Sequence, residues 1–150
     1  GGFGWVVFVA EGLTLNQVWA KCRECFSSSF DYGDDLDRSV PENDRTATTS
    51  YARRFRNRVE ADAELKGLSA FTLKSRHIPG ITLLERFLLE LWYCWRTDGG
   101  HLDLVNWTLC TGSRDFNGCV PCVSWCDNGL RVGRCHPDGA RGNFRARSAV

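Results

Sequence analysis

The spacing of apolar residues changes once along this 150-residue chain, between residues 97 and 102. Before that point apolar residues recur at helical spacing, most clearly over Leu83–Arg96, where Thr82 and Glu85 form a T-x-x-E capping box. After the turn residues 98–100 the pattern alternates between apolar and polar residues, which is typical of strands. Helices first and strands last predict an α+β fold.

Periodicity and turn residues also predict the other elements. Leu13–Phe26 reads as an amphipathic helix capped by Thr14, and residues 49–66 as a second helix that ends at Gly67. Residues 30–43 are acidic and turn-rich, which predicts a loop. Antiparallel strands are predicted over residues 102–109, 120–126, 130–135 and 143–149. The predicted inward faces are Leu15, Val18, Trp19, Cys22 and Phe26 on the first helix, and Leu84, Phe87, Leu88, Leu91, Trp92 and Trp95 on the last.

Composition places the chain among single globular domains. A hydrophobic content of 43% and a net charge of +1 argue against disorder and against a general nucleic-acid or membrane-surface role. Residues 13–150 are predicted to form the domain, and residues 1–12 an N-terminal extension or edge strand. We expect no membrane span, because no run approaches about 20 apolar residues. The absence of a convincing signal peptide gives a cytoplasmic location by default.

The last forty residues, Thr111–Val150, have an unusual composition. They contain no Lys, Glu or Gln, but six Arg and four Cys. Solvated surfaces are normally built from Lys and Glu as well as Arg and Asp. Met is absent from the whole chain, so its absence here carries no weight. The composition predicts that the function lies in this segment.

Eight cysteines include two C-x-x-C pairs, Cys22 with Cys25 and Cys119 with Cys122, a spacing that zinc sites use. However, Cys22 falls on the apolar face of the predicted helix, where a free thiol acts as a small hydrophobe. Cys122 and Cys126 are spread along one predicted strand and do not converge on a point. We therefore expect no metal and no other cofactor, with a zinc-binding interaction module kept as an alternative.

Strand alternation divides the C-terminal segment into two faces. With Trp107, Leu109, Val120, Val123, Trp125, Leu130 and Val132 facing the core, the remaining positions are predicted to face outward. Exposed Phe and Cys reduce solubility and bring no obvious stability, but they provide adaptable contact surface. The predicted ligand-binding residues are Asp115, Phe116, Asn117, Cys119, Cys122, Ser124, Cys126, Asp127, Asn128, Gly133, Cys135, His136, Arg141 and Phe144.

Residues 101–132, HLDLVNWTLCTGSRDFNGCVPCVSWCDNGLRV, and the closing LRVGRCHPDGARGNFRARSAV resemble the C-terminal region of variable proteins encoded by diversity-generating retroelements. Residues 43–70 and the segment IPGITLLERFLLEL are similar to the scaffold of the same group. The resemblance covers roughly Leu13 to Val150. It implies a C-type-lectin-like fold whose C-terminal strands and loops display a variable region, here about residues 107–150.

The resemblance also implies a function. In that family, adenines of the variable region are changed during reverse transcription, chiefly in AAC and AAT codons. Changes at the adenines of these codons cannot produce codons for Lys, Glu, Gln, Met or Trp. The expected activity is non-catalytic recognition of an unidentified variable ligand, most simply a protein. Phe116 and Phe144 would be its apolar anchors, with charge from Arg141 and Asp127 and hydrogen bonding from Ser124, Asn117 and Asn128.

An enzyme is the alternative on the same fold. Formylglycine-generating oxidases share the lectin-like architecture and use a thiol pair, which Cys119 with Cys122, or Cys126 with Cys135, could imitate. A catalytic thiol needs a nearby base. His136 adjoins Cys135, but neighbouring strand residues point to opposite faces, so the sequence favours recognition over catalysis.

Overall fold

The computed structural model describes residues 2–30 and 32–150 and has an α+β fold. Gly1 and Asp31, which belong to the predicted N-terminal extension and the predicted acidic loop, lie outside the described residues. The elements are β1 Trp5–Val9, α1 Leu15–Cys25, β2 Ser28–Phe30, α2 Leu36–Ser39, β3 Glu42–Asn43, β4 Tyr51–Phe55, a 3-10 helix Ala63–Leu65, α3 Ala70–Ser75, α4 Leu83–Arg96, β5 Trp107–Leu109, β6 Ser113–Arg114, β7 Val120–Cys126, β8 Gly129–Cys135 and β9 Phe144–Ala146.

The two helices with strong capping signals form where the sequence predicts them. The Thr14 hydroxyl accepts a hydrogen bond from the Gln17 N–H and caps α1. At α4, Thr82 Oγ1 accepts from the Glu85 N–H at 3.2 Å, and Glu85 Oε2 accepts from the Thr82 N–H at 2.9 Å. Local side-chain chemistry therefore fixes both helix starts.

The predicted helix over residues 49–66 is wrong. Tyr51–Phe55 forms β4, which pairs antiparallel with β1 from Trp5 opposite Phe55 to Val9 opposite Tyr51. The only helical residues in that range are Ala63–Leu65. Pairing with a strand more than forty residues away overrides the local helical pattern. The predicted loop over residues 30–43 likewise contains α2, β3 and the end of β2, and α3 was not predicted.

The main sheet has five strands in the order β2-β8-β7-β5-β9. β7 pairs antiparallel with β8 and β5, but β2 on β8 and β9 on β5 are parallel, so the prediction of antiparallel strands is wrong for these two pairs. The predicted strand over residues 102–109 shortens to β5. Glu60 takes the N–H groups of Val105 and Asn106 that a longer strand would have given to a neighbour.

Apolar clusters lie on both faces of this sheet. The larger cluster packs α1 and α4 against Val123, Leu130 and Val132. A second cluster covers the opposite face and contains Ala70, Leu109, Val120, Cys122, Cys135 and Phe144, with Trp107 packed against it. The central strand β7 is consequently enclosed from both sides, as in a sheet between two layers.

A fully buried ion cluster ties the C-terminal segment to α4. Arg86 lies 2.7 Å from Glu90 Oε2 and 2.9 Å from Asp103 Oδ2, and Arg147 lies 2.7 Å from Asp103 Oδ1. All four side chains are at most 1% exposed. Burial alone lowers the pKa of Arg86, but Asp103 and Glu90 raise it by more, so the guanidinium stays charged. Arg147, one of the six tail arginines, is therefore structural.

The apolar stripe predicted on α4 leaves the core before the helix ends. Leu84 and Phe87 are buried, but Leu88, Leu91 and Trp92 are half-buried and Trp95 is 78% exposed. The buried side of α4 includes the charged Arg86 and Glu90 instead. Among the described residues, no helix combines the length and the apolar character that crossing a membrane requires.

Candidate functional site

Two loops of the C-terminal segment leave the same end of the β7–β8 hairpin. Val120 lies opposite Cys135 in the antiparallel register, so residues 115–119, which precede β7, and residues 136–143, which follow β8, emerge side by side. Both loops carry exposed side chains. We call this the sheet-end surface and define it by Phe116, Asn117, His136, Arg141 and the neighbouring Phe71.

Asp115 organises the first of these loops. Its Oδ1 accepts hydrogen bonds from the N–H groups of Asn117 at 2.9 Å and Cys119 at 2.8 Å, and its own N–H donates to the Cys119 carbonyl. The side chain is 1% exposed. The prediction that Asp115 faces outward is therefore wrong, because its carboxylate is buried and Oδ1 accepts the hydrogen bonds that hold the loop. Phe116, by contrast, is 64% exposed.

Phe71 joins the sheet-end surface from α3. Its N–H donates a 3.1 Å hydrogen bond to the Pro137 carbonyl in the second loop, and its ring is 66% exposed. Sequence reasoning missed Phe71 because the short helix that carries it was not predicted. A short helix has few residues in which to show a period. The local signal that could have marked it is Ser69, whose hydroxyl accepts from the Thr72 N–H and caps the helix.

The hairpin turn forms a separate exposed point. Asp127 and Asn128 have φ values of 50° and 57°, the paired positive values of a two-residue hairpin turn that Asp and Asn tolerate. Because β7 runs seven residues between this turn and the sheet-end surface, the two lie roughly 20 Å apart. The predicted display positions do not therefore form one continuous patch. Cys119, Cys126 and Gly133 are half-buried.

Four further residues predicted to face outward are buried. Cys122, Ser124, Cys135 and Phe144 are between 3% and 9% exposed. The cause is a second layer of chain over that face, held where Gly67 N–H donates to the Phe144 carbonyl. Alternation separates the two faces of a strand but does not reveal whether another layer covers the second one. The outward prediction is wrong for these residues.

Several of the buried thiols have a raised pKa. Burial raises the pKa of Cys135, with Arg141 opposing and Cys119 adding to the shift, and burial also raises the pKa values of Cys22 and Cys110. A raised pKa reduces the thiolate fraction that nucleophilic attack needs. Within residues 2–30 and 32–150, no three His, Cys, Asp or Glu side chains converge in a way that could hold a metal ion.

Comparison with known proteins adds no relative. No protein-family profile, no curated protein and no solved structure matches this chain.

Proposed function

We propose that this protein is a non-catalytic recognition protein of the retroelement-diversified class, with a C-type-lectin-like fold, and that it binds its ligand through the sheet-end surface. One observation carries the proposal: apart from Arg134 on β8, the exposed side chains of residues 111–149 sit on loops, while buried groups hold the strands between them. Asp115 fixes one loop through backbone hydrogen bonds, and Arg147 anchors the end of the chain to Asp103. Such a scaffold tolerates change at its loops.

The composition of the exposed loops supports the same proposal. Phe116, Asn117, His136 and Arg141 are all residue types that adenine changes in AAC or AAT codons can produce. Trp107 and Trp125, which such changes cannot produce, are half-buried and pack on the two apolar clusters. Residue types accessible to this mutagenesis thus occupy the exposed loops, and the two tryptophans of the region pack against the apolar clusters.

The sheet-end surface offers a mixed chemistry suited to a protein ligand. Phe71 and Phe116 present two exposed aromatic rings, the side-chain class enriched at the centres of interfaces. Arg141 adds a cation, while Asn117 and His136 add hydrogen-bonding groups. We infer a ligand that has an apolar patch beside acidic or hydrogen-bonding groups.

The thiol-enzyme and zinc alternatives receive less support. Cys119 and Cys122 sit three residues apart at the start of β7, and Cys122 belongs to the buried second cluster. Cys135 is held against the His136 carbonyl at 3.4 Å and carries a raised pKa. These contacts describe packed thiols, which favours recognition over catalysis.

Randomising the exposed loop positions should preserve folding and yield binders. We expect a display library varied at residues 116, 117, 136 and 141 to remain mostly folded, because these side chains lie outside both apolar clusters. Selection against unrelated protein targets should then enrich specific clones. A matched library varied at Cys122, Ser124, Cys135 and Phe144 should lose most of its folded members. Equal folding losses in the two libraries, or no enrichment from the first, would contradict the proposal.

The retroelement origin predicts a specific DNA arrangement. We expect sequencing around the gene to reveal a reverse transcriptase gene and a second copy of the coding sequence for roughly residues 107–150. Differences between the two copies should be confined to adenines of the second copy. A gene without such a copy nearby would refute the retroelement origin. The selection experiment would still test whether the sheet-end surface binds ligands.

A further inference from the structure

Strand β1 has an open edge. On the far side of β4, the Arg54 N–H donates to the Val150 carbonyl at 2.7 Å and the Val150 N–H donates to the Arg54 carbonyl at 3.1 Å. Each residue of an antiparallel ladder turns its N–H and C=O to the same side. Val6, which lies opposite Arg54, and Phe8, two residues on, therefore turn their backbone groups away from β4. Nothing described in residues 2–30 and 32–150 hydrogen-bonds to them there.

An apolar groove lies between this open edge and α4. It encloses about 500 Å³. Trp95, on the α4 wall, is 78% exposed. Phe8 is 77% exposed, but its ring lies on the other face of β1, because Trp5, Val7 and Val9 alternate with it and Trp5 contacts Trp92 of α4. An unpaired edge beside exposed apolar side chains is normally covered by something in a stable protein. The lining residues are Val6, Val7, Phe8, Leu88, Leu91, Trp92 and Trp95.

We propose that a second copy of this chain covers the groove, with the two β1 strands paired antiparallel about a twofold axis at Val7. Val6 of one copy then lies opposite Phe8 of the other. The outward-facing backbone N–H and C=O groups of these two residues in both copies, four of each kind, form four hydrogen bonds. The two small sheets become one four-stranded sheet in the order β4-β1-β1-β4. This dimer is independent of the ligand proposal.

The chain itself carries the strand that the groove requires. β1 reads WVVFV, with no charge and with apolar side chains on both faces. All the groove residues are also apolar, so a second copy brings no like charges together. A twofold axis perpendicular to the sheet puts both α4 helices on the same face. Trp95 of each copy then lies toward the other.

The pairing is short, so side chains must contribute. Beyond Val6 the Gly4 N–H is taken by Asn57 Oδ1, and beyond Phe8 the Ala10 carbonyl accepts from the Leu13 N–H. Trp95 is covered on the α4 side, and Phe8 packs beside Val6 of the other copy on the opposite face. Together these contacts remove at most about 600 Å² from water, roughly half the area of the smallest standard interfaces. The half-buried Leu88, Leu91 and Trp92 and the strand backbone lie in the same groove and supply further area.

Sedimentation equilibrium of the whole chain tests the dimer. We expect a mass twice the chain's 16.9 kDa. Phe8→Lys places a charge on the paired edge, opposite Val6 of the other copy, and Val6→Pro removes an edge-facing N–H while leaving the β1–β4 ladder intact. Each change should weaken dimerisation by roughly thirtyfold or more. Circular dichroism should show that each variant stays folded.

Phe116→Lys is the matched control, because it changes another exposed phenylalanine and lies on the sheet-end surface. It should remain a dimer, although it would impair ligand binding. A monomeric wild-type chain at its highest soluble concentration would overturn the proposal. Dimers that persist in both Phe8→Lys and Val6→Pro would also overturn it, because they would place the contact elsewhere. A monomer whose groove binds a foreign extended peptide or a lipid vesicle would overturn it as well.

Discussion

Asp103→Asn should cost about 3–5 kcal/mol of folding free energy, the expected penalty for leaving buried cations uncompensated. Asp103 Oδ1 accepts from the Ala61 N–H and from Arg147, and Oδ2 accepts from Arg86 Nε and from the Thr108 hydroxyl. The amide of an asparagine has one accepting oxygen and one donating NH2 group. In either orientation the NH2 group would face two of the donors that now bind the carboxylate. Thermal unfolding should show a fall of roughly 6–20 °C in Tm.

Glu64→Gln is the matched control, because it makes the same carboxylate-to-amide change in an ion pair that is exposed. Glu64 lies 2.6 Å from Arg58 Nη1 with its side chain 53% exposed. Solvent screens such pairs, so the loss should stay below about 1 kcal/mol. If Asp103→Asn costs no more than Glu64→Gln, the buried cluster does not stabilise the fold as argued.

The buried cluster also marks what the sequence could not reveal. Arg147 lies in a segment whose composition suggests a variable surface, yet it is 1% exposed and bonds to the carbonyls of Arg58 and Val59. Its side-chain partners lie 39 or more residues away along the chain. Composition gives the residue types of a segment but not their contacts. A buried, structural arginine therefore cannot be distinguished from a surface arginine by composition.

Elements fixed by neighbouring residues were predictable, and elements fixed by distant partners were not. α1 and α4 begin at capping residues, and β7 at Val120–Cys126 follows its alternating pattern. β4 depends on β1, and the parallel strand β9 depends on β5, so no local signal marks either pairing. The α+β class was confirmed, because it depends mainly on the order of the elements.

The same distinction between local and distant causes applies to the residues of the candidate site. Phe116, Asn117, Asp127, Asn128, His136 and Arg141 are exposed as predicted, and all six lie in turns or loops marked by Gly, Asn, Asp or Pro. The outward prediction was wrong for the strand positions, since Cys122 belongs to the second apolar cluster with Ala70 of α3 and Phe144 of β9, and Ser124 is 3% exposed. Turn chemistry is local, whereas the covering of a sheet face is decided by the rest of the chain.

Phe144 and Phe116 provide the sharpest comparison between scaffold and display. Both are phenylalanines of the same segment, and both were predicted to anchor a ligand. Phe144 is 7% exposed within the second apolar cluster, while Phe116 is 64% exposed on the sheet-end surface. Phe144→Ala should cost about 3–5 kcal/mol, because it removes buried surface and leaves a cavity. Phe116→Ala should change stability by less than about 0.5 kcal/mol.

Two measurements on selected clones that retain Phe116, chemical denaturation and a ligand-binding assay, separate the two roles. Phe116→Ala should abolish or strongly weaken binding at unchanged stability, since exposed aromatic residues are frequent interface anchors. Phe144→Leu, which keeps most of the buried volume, should retain both folding and binding if Phe144 only packs. Loss of binding in a fully folded Phe144→Leu variant would move Phe144 back into the binding site. Unimpaired binding by Phe116→Ala would instead place the binding site away from the Phe116 loop.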